Sequence, residues 1–348
     1  MSVVRLKDAD DVRSALEAFS LSRLLTWSVG IGVFDALAAD GATAEEIAAH
    51  TGADRVIVGR ALEALNAVGL VSRTAESVYS LTPVGHLLQR EHPSGLARTA
   101  EFLHSAGWDA WSDLADANWR PGYEQIDPFD ALSARGLSEA FQAQMHAAAQ
   151  RYSNDVARRL ATRNKRRYVD IGGGTGALAR AILDQDADTF VTVLDRPEAL
   201  PFAARTLSGV AEGRWAVQRG DFFDSVPTGF EVLLLSRILH DWPDQRAARI
   251  LDACRKSMDD AATLVVFEKV ATVTNTSSRA DFALTNLNTY IMCGGAERTL
   301  EEFDALLSRA GFIIDAVEMI TDAHALIFAK KSGRTHDHST PVEGMQTP

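Results

Sequence analysis

Two stretches of the 348-residue chain combine residue types and spacings that can do chemistry. In ILHDWPDQRAARIL, His240 stands just past an apolar run of strand length, with Asp241 beside it. A neutral imidazole titrates at about 6.5 and can take a proton from an attacking hydroxyl, so His240 is a candidate general base. Two acids are placed to support it. Glu268 closes the run TLVVFEK and Glu297 precedes RTLEEF, so both can reach the edge where His240 stands and hold or polarise its ring. Each acid also has a plainer use: Glu268 in an ion pair with Lys269 or in solvent, Glu297 at a helix start. Asp241 suits either contact with a substrate or a helix cap.

The second stretch, YVDIGGGTGALARAIL, reads as a strand, a glycine loop and a helix. Gly172, Gly174 and Gly176 remove side chains where the backbone must turn tightly and approach a ligand, with amides at the helix start available to an anionic group. Gly172, Gly174 and Ala177 also satisfy the looser dinucleotide fingerprint, which keeps a nicotinamide oxidoreductase in view. Asp195, at the end of the next strand, can accept from the ribose hydroxyls of either cofactor. Three features favour S-adenosylmethionine: Asp170 inside the first strand, the pair Asp221 and Phe222 after the third, and an antiparallel final pair of strands. Phe222 can lie on an adenine face, and Asp221 can take up an adenine or ribose donor.

Positioning these groups requires an α/β unit. Strands are expected near YVDI, FVTVLD, WAVQRG, EVLLLS, LVVFEK, IDAVEMI and HALIFAK, with helices between the first five. The first five read as a parallel, doubly wound sheet. The last two are separated only by TDA, too short for a parallel crossover, so they pair antiparallel. Ahead of this unit, apolar residues from Val12 to about Ala39 recur at helical spacing, broken near Gly30 and Gly32. Thr43 with Glu46, and Asp54, can cap two further helices. Gly69 ends the second, and LVSRTAESVYSLTP follows as two short strands. That order is of winged-helix type. Residues 93–160 read as a helical connector around a loop at RPGYEQIDP. It carries Trp108, Trp111, Trp119, Phe102, Phe141 and Met145, which suit either a core or a pocket lining. The expected division is 1–92, 93–160, 161–331 and a disordered tail at 332–348.

Charge decides how the winged-helix-like unit is read. Between Asp11 and Glu91 there are six Arg, no Lys and ten acids, and the helix that would enter a major groove offers only Arg55 and Arg60. The unit therefore reads as a dimerisation surface rather than a DNA reader. The whole chain carries a formal charge of -12, which disfavours general nucleic-acid binding. Cys254 and Cys293 cannot form a disulfide framework, no signal peptide is evident, and the apolar runs are too short to span a bilayer. A cytoplasmic location without membrane contact is expected. The histidines are too dispersed to form a metal site, so catalysis is expected to be metal-independent.

Taken together, VDIGGGTG, LDRPEAL, GDFF, ILHDWPD, the Glu of VVFEK and GGAERTLEEFDALLSRAGF resemble, in order, the class I S-adenosylmethionine-dependent O-methyltransferases of the small-molecule type. That group includes caffeic acid and acetylserotonin O-methyltransferases and bacterial polyketide-tailoring enzymes. The resemblance covers nearly the whole chain. It implies a Rossmann-like methyltransferase sheet of five parallel strands plus an antiparallel final pair, with an N-terminal helical, winged-helix-like dimerisation domain and a homodimer. It implies S-adenosylmethionine as cofactor, S-adenosylhomocysteine as product and an aromatic hydroxyl of a small secondary metabolite as acceptor. By the same resemblance His240 is the base, Glu268 and Glu297 support it, and Phe141 and Met145 clamp the acceptor ring. Ser236 stands where many relatives have a lysine near the cofactor, with Arg237 next to it, so the lysine contact does not carry over. Two alternatives remain: a relative diverted to hydroxylation, decarboxylation or pericyclic chemistry, and a ligand-sensing DNA-binding regulator.

Overall fold

A computed structural model describes residues 6–37, 41–113, 128–271 and 276–333. The chain forms two compact units, Met1–Ser153 with Asn275–Gly294, and Asn154–Thr274 with Gly295–Pro348.

In the first unit α1 (Ala9–Gly30) starts at Asp8, whose carboxylate accepts the Asp10 and Asp11 N–H groups. A short α2 (Val33–Ala36) follows the break at Gly32. Thr43 and Glu46 form the expected capping box on α3 (Ala44–Thr51), and Asp54 caps α4 (Arg55–Ala67). Past α4 the chain turns through Gly69, and the Leu70 N–H returns to the Leu65 carbonyl at 2.9 Å, the hydrogen bond of a glycine C-cap. β1 (Val71–Arg73) and β2 (Tyr79–Leu81) then pair antiparallel. Val29, Phe34, Ile47, Leu62, Leu65 and Tyr79 are buried in one core beneath these elements. The helix-helix-strand-strand order read from the sequence is thus present. Beyond it lie α5 (Leu96–Phe102), one π-turn at Leu103–Gly107, α6 (Trp108–Asp113), α7 (Pro128–Ala134) and α8 (Ser138–Ala161). Trp119 and most of the loop at RPGYEQIDP fall outside the described residues, as does most of the tail.

The second unit alternates β3 (Arg167–Ile171), α9 (Ala177–Leu183), β4 (Phe190–Asp195), α10 (Leu200–Leu207), β5 (Trp215–Arg219), β6 (Val232–Ser236), α11 (Asp244–Ser257) and β7 (Thr263–Lys269). After α12 (Thr276–Cys293) come α13 (Leu300–Arg309), β8 (Phe312–Thr321) and β9 (His324–Lys331). The seven strands lie in the order β5-β4-β3-β6-β7-β9-β8. β3 to β7 are parallel, and β9 runs antiparallel to both β7 and β8, because Asp322 and Ala323 alone connect the last pair. Burial follows position. β6 and β7 are apolar on both faces, whereas edge strand β8 alternates buried or half-buried with exposed residues.

Two expectations need correcting. No helix joins β5 to β6. That segment, from Gly220 to Glu231, is turns and bends, with the Asp221 carboxylate accepting the Phe223 N–H at 2.8 Å and Gly229 at φ +83°. Asp, Ser, Pro and Gly compete there with any helix. α12, read from sequence as part of the sheet unit, groups instead with the first unit, where Trp111 Nε1 donates to Asn288 Oδ1 at 3.0 Å.

The sheet order positions the chemistry. β3 lies between β4 and β6, so the strand order reverses at β3. The loops leaving β3 and β6 then open a crevice at the carboxyl edge, where ligands bind in open α/β sheets.

Candidate active site

His240 lies in a single 3-10 turn, Leu239–Asp241, immediately past β6. It is 9% exposed, and its Nδ1 lies 3.0 Å from Glu297 Oε1. Its Nε2 lies 3.3 Å from Asp241 Oδ1. The two supporting acids divide their work. Glu297 holds the ring, whereas Glu268, fully buried, accepts the backbone N–H groups of Leu239 at 2.9 Å and His240 at 3.3 Å through Oε1. Neither Asp241 nor Glu297 serves as a helix cap: α11 begins behind Pro243, and α13 is capped by Thr299 with Glu302.

Burial is the strongest influence on His240 and disfavours its imidazolium, and the Arg237 charge acts in the same sense. Asp241, Glu268 and the hydrogen bond to Glu297 outweigh both and carry the ring up to about 8. Burial in turn pushes the Glu268 carboxyl up.

Two residues escaped the sequence reading. Arg298, 3% exposed, spreads its guanidinium over the turn. It donates to the carbonyls of Leu239 at 2.8 Å, Trp242 at 2.8 Å and Ala296 at 3.2 Å, and to Asp244 Oδ1 at 2.9 and 3.0 Å. A planar five-donor fork suits that set and an ammonium does not. The second is Gly295, where a Cβ would fall 1.9 Å from the His240 carbonyl oxygen. The adjacent Ala296 N–H donates to that same oxygen at 2.8 Å. Both residues sit in GGAERT beside Glu297, and the one available signal was an arginine in an otherwise weakly charged motif.

On the other side of the crevice, the Gly174 N–H donates to Asp195 Oδ2 at 2.7 Å and the Arg196 N–H to Asp195 Oδ1 at 2.7 Å. Burial raises the Asp195 carboxyl and these backbone donors oppose it. Gly172, at φ +68°, leaves no room for a side chain. A Cβ would lie 2.5 Å from Ile238 Cδ1 and 3.3 Å from the Phe222 ring. Asp170 is 1% exposed, both its carboxylate oxygens are buried without a hydrogen-bond partner among the described residues, and Oδ2 lies against Gly173. Burial first, and the Asp195 charge second, push Asp170 up to about 7. Phe222 lies 5.0 Å from Phe223 and 6.3 Å from Trp242 between ring centroids, and Arg246 lies over the Phe223 and Trp242 rings at 4.5 and 4.1 Å. Asp221 is exposed and closes its own turn, while Ser236 ends β6 opposite Phe267 of β7. An orphaned buried carboxyl, a second carboxylate held by glycine-loop amides and an aromatic face fit a ligand with hydroxyl and cationic donors and a flat base. S-adenosylmethionine has those parts.

Phe141 and Met145 stand one turn apart on α8 in the first unit. The Phe141 ring packs 5.9 Å from Phe102 and 5.6 Å from Phe129.

Comparison with known proteins fixes the class. Residues 111–313 match the O-methyltransferase domain family, and residues 14–91 match the O-methyltransferase dimerisation domain. The chain is 32% identical over 334 residues to O-methyltransferase SfmM3 of Streptomyces lavendulae, covering 92% of this chain and 100% of that one. It is 33% identical to O-demethylpuromycin-O-methyltransferase of Streptomyces alboniger over 84% of this chain and 80% of the relative. Among solved structures, mitomycin 7-O-methyltransferase MmcR superposes with a TM-score of 0.85 at 26% identity, over 93% of this chain and 97% of that one. NcsB1, an O-methyltransferase from neocarzinostatin biosynthesis solved with S-adenosyl-L-homocysteine and 1,4-dihydroxy-2-naphthoic acid, gives 0.79 at 28% identity, over 91% and 98%. The chain therefore belongs to the O-methyltransferase family and is an S-adenosylmethionine-dependent enzyme with a dimerisation domain at its N-terminal end. Among its described residues, no helix is long and apolar enough to cross a membrane.

Proposed function

We propose that the enzyme methylates an aromatic hydroxyl of a small secondary metabolite, with His240 as the general base. The observation that carries this reading is the His240 Nδ1 to Glu297 Oε1 contact of 3.0 Å, in a turn whose backbone is itself held. With the Nδ1 proton donated to Glu297, Nε2 offers a lone pair to the acceptor hydroxyl. A phenol titrates at about 10 and stays protonated near neutral pH, so its proton must leave as the oxygen attacks. Glu297, 3% exposed, then stabilises the imidazolium. Glu268 keeps the ring's backbone in place, and Asp241, 3.3 Å from Nε2, accepts from that nitrogen once it is protonated.

When bound, S-adenosylmethionine supplies an electrophilic sulfonium methyl. The protein's share is to place the acceptor oxygen and remove its proton. Asp170 and Asp195 would take the donors of the bound group, Gly172 and Gly174 give its backbone access, and Phe222 offers an aromatic face. Asp221 and Ser236 line the carboxyl ends of β5 and β6. Phe141 and Met145 offer a ring edge and a polarisable sulfur to a flat acceptor. Two relatives support a phenolic acceptor by name: a 3-amino-4-hydroxybenzoate 4-O-methyltransferase and a 2,7-dihydroxy-5-methyl-1-naphthoate 7-O-methyltransferase.

The enzyme works as a homodimer through its N-terminal unit and binds no nucleic acid. On α1, Leu16 is 72% and Phe19 63% exposed, and α4 presents Val56 and Ile57 where a DNA reader would present cations. Light scattering that returns a monomer at micromolar concentration overturns the pairing.

Transfer of labelled methyl to a panel of phenols, catechols, anthraquinones and indoles, with wild type and His240→Ala side by side, tests the chemistry. The variant is expected to lose about a hundred to ten-thousandfold in rate while binding S-adenosylhomocysteine normally. Transfer at the wild-type rate would remove His240 from the mechanism.

A further inference from the structure

Among the described residues, three non-glycine residues adopt positive φ: Ser77, Asn164 and Arg237. Ser77 sits in the turn between β1 and β2, and Asn164 belongs to a residue type that tolerates this region. Arg237 has neither excuse. It takes φ +59° directly after β6, and its N–H donates to the Phe267 carbonyl at 2.9 Å, so the neighbouring strand holds it in a conformation its side chain disfavours. Such strain at the edge of an active site calls for a functional reason.

The side chain supplies one. Arg237 Nη2 lies 3.9 Å from Glu297 Oε1, the same oxygen that lies 3.0 Å from the His240 ring. Its Nη1 is buried without a hydrogen-bond partner among the described residues, so none of their carbonyls or other carboxylates consumes the charge there. The groups within electrostatic reach of His240 come from five segments. Asp241 is on its own turn, Glu268 ends β7, Glu297 and Arg298 precede α13, Arg237 follows β6, and His324 opens β9. Arg298 is committed to Asp244 and to backbone carbonyls. His324, stacked on Phe267 at 5.8 Å with Nδ1 3.0 Å from Thr321 Oγ1, is driven down to about 4 by burial and then by Arg237 and Lys269, so it is neutral at working pH. Among the described residues, Arg237 is left as the cation facing three acids around one base.

We propose that Arg237 is a positioning residue for the transfer: by sharing Glu297 with the imidazole, its guanidinium limits how firmly the surrounding acids hold a proton on His240, leaving the ring able to take one from the acceptor. This rests on His240 being the base. Without the guanidinium, burial alone opposes the pull of Asp241, Glu268 and Glu297 toward the imidazolium, and the base form is reached only at higher pH.

The test uses the full chain as wild type, Arg237→Gly and Arg237→Lys, with labelled histidine followed by NMR and His240→Gln used to assign the signal. Glycine accepts the positive φ, so the first variant removes the charge while relieving strain, and thermal melting verifies that it is folded. The His240 midpoint is expected to rise by about one pH unit in Arg237→Gly and to stay within a few tenths of wild type in Arg237→Lys. The ascending limb of kcat should move with it, cutting the rate about tenfold near pH 7 and recovering above the new midpoint. A folded Arg237→Gly protein whose His240 titrates as in wild type, or whose rate falls equally at every pH, overturns the proposal. If His240→Ala instead keeps full transfer, the base reading fails, while the NMR titration still reports whether Arg237 acts on the ring.

Discussion

In the turn that carries His240, the N–H groups of Leu239 and His240 go to Glu268, and the carbonyls of Leu239, His240 and Trp242 are taken by Arg298 and Ala296. Below the glycine loop, by contrast, both oxygens of Asp170 are buried with no hydrogen-bond partner among the described residues. The comparison separates two tasks. On the proposed mechanism, the group that would move a proton must stand in one place before anything binds, and its backbone is over-determined. The group that meets a donor-rich ligand retains unmet acceptor capacity, and burial answers by favouring its neutral form, up to about 7.

The largest effect expected on this contrast is at Gly295. A methyl there would collide with the His240 carbonyl and lie 2.5 Å from the Asp241 carbonyl carbon, so Gly295→Ala must displace the turn. Its kcat should fall at least about a hundredfold, because misplacement of about 1 Å costs that much. Affinity for S-adenosylhomocysteine, measured by calorimetry, should stay within about twofold, since the glycine loop is separate. Equal losses in both would show that the two halves are not independent.

Arg298→Lys tests the same side more gently. An ammonium cannot span the carbonyls of Leu239 and Trp242 together with Asp244, which leaves at least one buried acceptor unsatisfied. Urea unfolding should show a loss of about 1 to 3 kcal/mol, with kcat reduced about tenfold. An unchanged midpoint would mean that Glu268 alone suffices to hold the turn.

The effect at Asp170 is read on stability alone. A buried carboxyl raised to about 7 binds its proton more tightly folded than unfolded, where it titrates at about 3.9. Its contribution to stability is therefore present at low pH and is lost as pH rises from about 4 through 7. Asp170→Asn removes that loss. Its stability relative to wild type, in ligand-free protein, should increase by about 2 kcal/mol between pH 5 and pH 8. A flat difference would show that Asp170 has a partner after all and would erase the contrast.

Much of this was legible in the residues. The capping box at Thr43, the glycine end of α4 and all seven strands of the sheet follow from local rules of hydrogen bonding and periodicity, whereas the cap of α13 fell to Thr299 and not to Glu297. Less legible was anything dependent on who stands opposite whom. The crossover from β5 to β6 lacks its helix, because turn chemistry in GDFFDSVPTG outweighs the expectation from alternation. α12 carries no local mark of leaving the sheet unit. Arg298 and Arg237 look like ordinary surface cations in the sequence, and only the fold reveals one as a buried clamp and the other as strained against a neighbouring strand.

The sequence by itself determined the order of elements, the glycine loop and the presence of a histidine past one strand, an acid at the end of another and an acid ahead of a helix. These depend on interactions between residues near one another in the chain. Tertiary structure alone decided that Glu297 meets the imidazole while Glu268 meets the backbone, and that a glycine and two arginines shape the same turn. His240, Glu268 and Glu297 lie tens of residues apart, and which atoms meet is set by the register of β6 against β7 and by the close approach of Gly295. No local propensity records either.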